Sequence, residues 1–285
     1  MSLNLSPRNF LFIAPSFQNL KRRGLGPKEI KKKVNHEKEQ NVSKVKTGFF
    51  EFDDLSMTSV IDKLHFFSKS NDGLKIVITP NVDHLSRLVD SDCNEQQELW
   101  NIYKNASLLL CDSQILKMLM NRKGKKITNV IPGSTLTQEL FAGPTMTGSK
   151  VLILGADEAV FEKVCNAYPS IDLYHLNPSM GFISKPDEIK EIVSKVKTIN
   201  PNYIFLAVGS PRQELLAKKL ESELLGGVAL CIGASILFLV GEEKRAPILF
   251  QRCKLEWLYR MTTQKRLVRR YLSNFLDLPA IYKKL

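Results

Sequence analysis

The chain has 285 residues, 44% of them hydrophobic and 25% charged, enough apolar content for one substantial core with the charge balance of an ordinary globular protein. Its net charge of +12 is concentrated at the ends: residues 1–47 hold 11 Lys/Arg against 3 acids, residues 241–285 hold 11 against 4, and residues 48–240 are slightly acidic. That distribution argues against a nucleic-acid-binding body, which would carry the positive stripe itself beside a reading motif; two peripheral contacts with an anionic surface fit better.

Residues 1–47 have little apolar periodicity and include Lys21-Arg22-Arg23 and Lys31-Lys32-Lys33, the composition of a mostly disordered basic extension. From Gly48 the pattern changes. Short apolar runs at 75–79, 107–111, 150–154, 171–175, 203–208 and 227–232 predict strands, and longer periodic stretches near 84–104, 113–122, 134–142, 157–168, 186–199 and 211–224 predict helices between them. Alternating strand and helix is the signature of an α/β fold with a doubly wound, mostly parallel Rossmann-like sheet, here over 48–240. The longest apolar run, 228–240, is about 13 residues where a membrane span needs roughly 20, and Phe10-Leu11-Phe12-Ile13-Ala14 lacks a cleavage-site pattern. The expectation is a cytoplasmic protein that meets a membrane only peripherally. Five widely spaced cysteines without a C-x-x-C pair indicate neither a disulfide framework nor a zinc site.

In parallel sheets ligands bind at the carboxyl ends of strands, so the residues that follow each run are the ones to inspect. Asp112, after Leu108-Leu109-Leu110-Cys111, is placed for a general base, with a routine helix N-cap as the plainer alternative. Thr79-Pro80-Asn81 offers a hydroxyl and an amide to a sugar or phosphate, or forms a Pro-stiffened turn. Gly209-Ser210-Pro211-Arg212-Gln213-Glu214 opens a helix after a strand, where backbone N–H groups can meet an anion and Arg212 and Gln213 can add donors. Gly155-Ala156-Asp157 lacks two glycines of a dinucleotide fingerprint. Asp90-Ser91-Asp92 has the form of a metal-holding D-x-D pair but falls within a polar helical stretch, where a solvated surface pair is the better reading. Of the four histidines only His84 lies near these strand ends, and no metal-ligand spacing is present.

The last 45 residues predict an amphipathic helical appendage, 241–285. Leu258, Met261, Val268, Tyr271, Leu272 and Phe275 recur at helical spacing, and Lys265 and Arg269 stand among the cations opposite them. Such a helix can lie in an anionic lipid interface or close over a phosphorylated ligand; a terminal helix docked on the domain is the alternative.

Taken in order, the motifs resemble those of the WecG/TagA/CpsF family of bacterial glycosyltransferases over roughly residues 48–275. Thr79-Pro80-Asn81 is similar to that family's T-P-N, Asp112-Ser113 to its D-G, and Pro132-Gly133-Ser134-Thr135-Leu136 to its T-G-S-D-L. Gly209-Ser210-Pro211-Arg212-Gln213-Glu214 is similar to its G-x-P-K-Q-E, and Arg245-Ala246-Pro247, Leu255-Glu256-Trp257 and Arg266 to Tyr271 resemble its tail. The resemblance implies inverting transfer from a UDP-sugar donor to a polyprenyl-diphosphate-linked sugar acceptor, in cell-surface polysaccharide synthesis at the inner membrane face. It further implies no cofactor or required metal, Asp112 as base, and a donor site drawing on Thr79, Asn81, Ser134, Gly209, Gln213 and the tail arginines Arg260, Arg266 and Arg270. Three positions depart from the pattern: Ser113 replaces a glycine, Thr135 an aspartate, and Val130 an arginine. A non-catalytic nucleotide-sugar binding scaffold at the membrane is the rival class, and homo-oligomerisation stays open.

Overall fold

The computed structural model describes residues 43–89, 94–243, 246–247, 250, 256–263 and 265–285, with the side chains at 94, 95, 256, 260 and 265–267 outside the description. The Asp90/Asp92 pair and Arg245 therefore lie outside the described residues. Two short antiparallel strands, β1 (Ser43–Lys46) and β2 (Glu51–Asp54), precede helix α1 (Met57–Ser68), whose Ser56 N-cap accepts from Ser59 N. None of these three elements follows from the apolar runs. The compact unit runs from Ser43 to Leu285, so it includes β1 upstream of the expected start at Gly48.

The sheet is six-stranded and parallel: β3 (Lys75–Ile78), β4 (Leu108–Leu109), β5 (Lys150–Leu154), β6 (Asp172–Leu176), β7 (Tyr203–Leu206) and β8 (Val228–Cys231) lie in the order β4-β3-β8-β7-β5-β6. Helices α2 (Val82–Ser86) and α3 (Asn94–Lys104) replace the single helix expected over 84–104. After β4 come α4 (Gln114–Arg122) and α5 (Gly133–Ala142), then α6 (Glu158–Ala167), α7 (Pro186–Ile199), α8 (Arg212–Glu221) and α9 (Ser235–Leu239).

Both faces of the sheet are covered, as continuous apolar strands require. Ile76, Ile78, Leu152, Leu154, Ile204 and Leu206 pack with Ile192 and Val196 of α7 and Leu216 and Leu220 of α8. The alternating residues Val151, Ile153, Phe205 and Leu230 are buried as well, and Phe205 meets Phe141 of α5 at 5.2 Å between ring centroids. This is a doubly wound α/β fold, with a helical C-terminus formed by α10 (Glu256–Thr263) and α11 (Lys265–Lys284).

β2 fixes the strand-exit region from behind. Asp53 Oδ2 accepts from Leu109 N at 2.9 Å, while Asp54 accepts from Thr128 N and Asn129 N, each at 2.7 Å. Two adjacent carboxylates thus pin β4 and the loop that leads into α5, the two segments that carry the site.

Helix α11 is anchored at its far end. Ile281 and Leu285 belong to the same buried cluster as Leu85 and Leu88, and each is worth roughly 1.5–3 kcal/mol of burial. Gly48 accommodates this approach: a Cβ there would sit 1.9 Å from the Lys284 carbonyl oxygen.

Candidate active site

The exits of β3, β4, β7 and β8 open into a cleft of about 940 Å³, closed on one side by α11. That volume suits a nucleotide-sized ligand. Asp112 lines it, just beyond β4, and it is not the N-cap of α4. The α4 cap is Ser113, whose Oγ accepts from Leu116 N at 3.3 Å. The serine that departs from the glycine pattern therefore has a structural task worth about 1 kcal/mol.

Asp112 is released from capping its own helix and spans two other segments. Its Oδ1 accepts from Gly133 N at 3.0 Å, at the first residue of α5, and its Oδ2 accepts from Asn81 Nδ2 at 3.2 Å. Helix α5 begins at Pro132 without a side-chain cap of its own, so Asp112 meets the positive end of that helix dipole. Glycine at 133 leaves room for two hydroxyls. A Cβ would stand 2.9 Å from Thr79 Oγ1 and 3.4 Å from Ser235 Oγ. The close approach seats α5 over the exits of β3 and β8 and brings Thr79, Asp112 and Ser134 to one cleft wall.

Asn81 is the N-cap of α2. Its Oδ1 accepts from Asp83 N at 3.0 Å, its backbone N donates to His84 Nδ1 at 3.2 Å, and its remaining amide hydrogens face Asp112. His84 is buried enough that desolvation, partly offset by Glu214 and Asp83, holds its pKa below the ordinary imidazole range.

The model of the Glycosyl transferase WecG/TagA/CpsF family matches residues 45–284 of the chain. The protein belongs to that family. Among its relatives are proteins named N-acetylglucosaminyldiphosphoundecaprenol N-acetyl-beta-D-mannosaminyltransferase. The one from Staphylococcus aureus strain NCTC 8325 is 27% identical over 79% of this chain and 86% of the relative. The one from strain MRSA252 is 26% identical over the same shares.

In this glycosyltransferase, Gly209 lies in the loop after β7 at φ 77°, a conformation that favours glycine. Its carbonyl accepts from Gln213 N at 3.0 Å, so that amide is already paired. Gln213, expected to offer its side chain to a ligand, lines the cleft but is itself buried. Its Oε1 accepts from Gly233 N and its Nε2 donates to Glu214 Oε1, both at 2.9 Å, which ties the β8 exit to α8. Val130 and Thr135, two of the departures from the pattern, also line the cleft.

The opposite wall comes from the C-terminal helices through Trp257, Arg270, Tyr271, Asn274 and Phe275. Arg270 Nε lies 3.6 Å from Asp83 Oδ1, Asn274 Nδ2 donates to the same oxygen at 3.4 Å, and Arg87 pairs with Asp83 Oδ2. Two guanidiniums thus share one carboxylate at the cleft rim. The side chains of Arg260, Lys265 and Arg266 lie outside the described residues.

The amphipathic face expected of the tail is divided. Leu258 and Met261 belong to α10, whereas Val268, Tyr271, Leu272 and Phe275 belong to α11, so their spacing does not run along one helix. Tyr271 and Phe275 line the cleft, Phe275 against Trp257 at 4.9 Å between centroids, instead of facing outward with Leu272. The outward apolar pair is Leu272 and Leu276, 55% and 81% exposed, with Arg269 one turn before Leu272. No helix among the described residues is long and apolar enough to cross a membrane.

Sequence reasoning placed His84 near the site without a role, and gave none to Gly133 N, Glu214 or Arg87. A readable signal existed for two of them: Asn81-x-x-His84 has capping-box spacing, and Asp83-x-x-x-Arg87 has the spacing of a helical ion pair.

Proposed function

We propose that this glycosyltransferase moves a sugar from a UDP-sugar to a saccharide carried on polyprenyl diphosphate, with inversion at the anomeric carbon and Asp112 as general base. The observation that carries the proposal is the seat of Asp112: a carboxylate at a strand exit, held by one backbone N–H and one neutral amide, on the wall of a nucleotide-sized cleft. The names of the relatives describe an N-acetylmannosaminyl transfer to N-acetylglucosaminyldiphosphoundecaprenol, which makes that pair the first to test.

In the transfer, the acceptor hydroxyl gives its proton to Asp112 as its oxygen forms a bond to the anomeric carbon. The bond from that carbon to the diphosphate breaks on the opposite face, and its electron pair leaves on UDP. Asn81 and the α5 N-terminus hold the base in place, while guanidinium charge at the rim offsets the departing diphosphate. Arg270 is the described residue for that task, with Arg260 and Arg266 proposed beside it. The reaction then needs no metal or cofactor, and activity is expected to survive EDTA.

The assay combines purified protein, a panel of UDP-sugars including UDP-N-acetylmannosamine, and a short-chain polyprenyl-diphosphate-GlcNAc acceptor. UDP release that requires both substrates is expected; UDP binding without release from any pair would favour the scaffold reading instead.

The membrane contact at the inner face is assigned to the outward side of α11, where Arg269 stands beside Leu272 and Leu276. Apolar insertion and attraction of the basic side chain to anionic headgroups add there, the latter worth about 1 kcal/mol per residue. Flotation with anionic vesicles should fall in a Leu272→Ser, Leu276→Ser double variant. Unchanged flotation would place the contact elsewhere.

A further inference from the structure

Behind Asp112 lies a second layer of polar groups that take no part in the transfer chemistry. Glu214 of α8 is fully buried, a costly place for a carboxylate unless its neighbours compensate. Its Oε1 accepts from Tyr103 Oη at 3.2 Å and from Gln213 Nε2 at 2.9 Å, and His84 Nε2 stands 3.8 Å away. Its Oε2 is buried with no hydrogen-bond partner among the described residues.

The imidazole joins this pocket to the base. His84 Nδ1 receives the Asn81 backbone N–H at 3.2 Å and lies 2.9 Å from Asn81 Oδ1. Nδ1 therefore meets both the backbone and the side chain of Asn81, while Nε2 is the nitrogen that faces Glu214. Asn81 Nδ2 continues the path to Asp112 Oδ2 at 3.2 Å. Four side chains thus run from α8, through the first turn of α2, to the exit of β4. Turning the Asn81 amide over would set its NH2 against the Asp83 N–H and its oxygen against the Asp112 carboxylate, two repulsions at once.

We propose that Glu214 and His84 are positioning residues for Asp112: the buried pair holds the Asn81 N-cap rigid, and Asn81 in turn keeps the Asp112 carboxylate in one orientation toward the cleft. The proposal rests on Asp112 being the base. Glu214 is absent from the cleft lining and His84 stands at the wall with only 13% of its side chain exposed, so their loss should lower turnover while leaving donor binding in place.

The test uses the full-length protein with variants His84→Phe, His84→Gln, Glu214→Gln and Asp112→Asn. Phenylalanine keeps the ring and removes both nitrogens. Glutamine at 84 is the ordinary capping-box residue and can still accept the Asn81 N–H. His84→Phe is expected to lower kcat at least tenfold with KM for the donor within about twofold, and His84→Gln to recover most of the loss. Glu214→Gln should lower kcat severalfold alone and add little in the His84→Phe background, because the two act along one path. Wild-type kcat in both His84→Phe and Glu214→Gln would overturn the proposal, as would kcat, KM and melting temperature falling together with no recovery by glutamine. If His84→Phe fails to fold, Glu214→Gln still decides: wild-type kcat there, or kcat, KM and melting temperature falling together, rejects the path. Asp112→Asn separates the two levels. Full activity there removes the base assignment itself, whereas an inactive Asp112→Asn beside fully active His84 and Glu214 variants removes only the positioning role.

Discussion

Asp112 and Arg270 line the same cleft, yet they are held by different physics. Asp112 sits between the ends of rigid elements, fixed by hydrogen bonds of 3.0 and 3.2 Å from an α-helix N-terminus and an N-cap side chain. Arg270 projects from a terminal helix, its side chain 44% exposed, and its Nε reaches Asp83 only at 3.6 Å. In the proposed transfer the sheet wall would supply geometry and the helical wall charge. A proton transfer depends on a few tenths of an ångström, whereas neutralising a diphosphate tolerates a longer and softer contact, so the proposed roles would place the two demands on different parts of the chain.

The sharpest way to break this comparison is Asp112→Asn. Removal of the base should lower turnover by about 10²–10⁴-fold with UDP affinity nearly unchanged, measured by steady-state kinetics beside calorimetric UDP binding. Turnover close to wild type would leave the sheet wall with a structural role only.

The second test concerns where the helical wall is anchored. Ile281 is fully buried, so Ile281→Ala should cost about 2–5 kcal/mol of stability in denaturant unfolding. A loss below 1 kcal/mol would show that the C-terminal helix is a detachable arm. For the same reason point substitutions probe this helix better than deletion after Val240, which would strip Ile281 and Leu285 from the core.

Arg270→Ala should lower kcat/KM by roughly 10–100-fold, the range for losing a hydrogen bond to a charged group, and the wild-type value should fall more steeply with salt than that of the variant. Equal salt dependence would remove Arg270 from diphosphate binding.

The smallest effect is a pH dependence of the sheet wall. Because burial depresses the folded-state pKa of His84, the unfolded chain takes up that proton more readily, and the imidazole contributes stability that is present above its ordinary titration range and lost as pH falls through it. The melting temperature of wild type should therefore drop over that window more than that of His84→Gln. Parallel curves would mean that His84 is not kept neutral by the fold.

Much of this was legible beforehand because strand exits in a parallel sheet are marked by where apolar runs stop. Thr79, Asp112 and Gly209 each follow such a run, and the cleft gathers all three. Strands β1 and β2 were not legible, since Ser43-Lys44-Val45-Lys46 buries only Val45 and carries too little apolar signal. The caps were not either. Asp112 and Ser113 are both good N-cap residue types, and nothing local decides which of two neighbours turns back onto its own helix.

The sequence by itself determined the alternation of strand and helix, the family, and the strand end at which Asp112 stands, because hydrophobic periodicity and short motifs are local properties of the chain. Only the tertiary structure decided what each polar group faces. Asp112 is turned to Gly133 and Asn81, residues 21 and 31 positions away, and Gln213 is spent on bracing. Tyr271 and the partly exposed Phe275 line the cleft while Leu272 and Leu276 are left outside, because Ile281 and Leu285, locked into the core at the helix end, set the rotation of α11. Partners this far apart in the chain are chosen by packing, and packing is settled only when the whole domain closes.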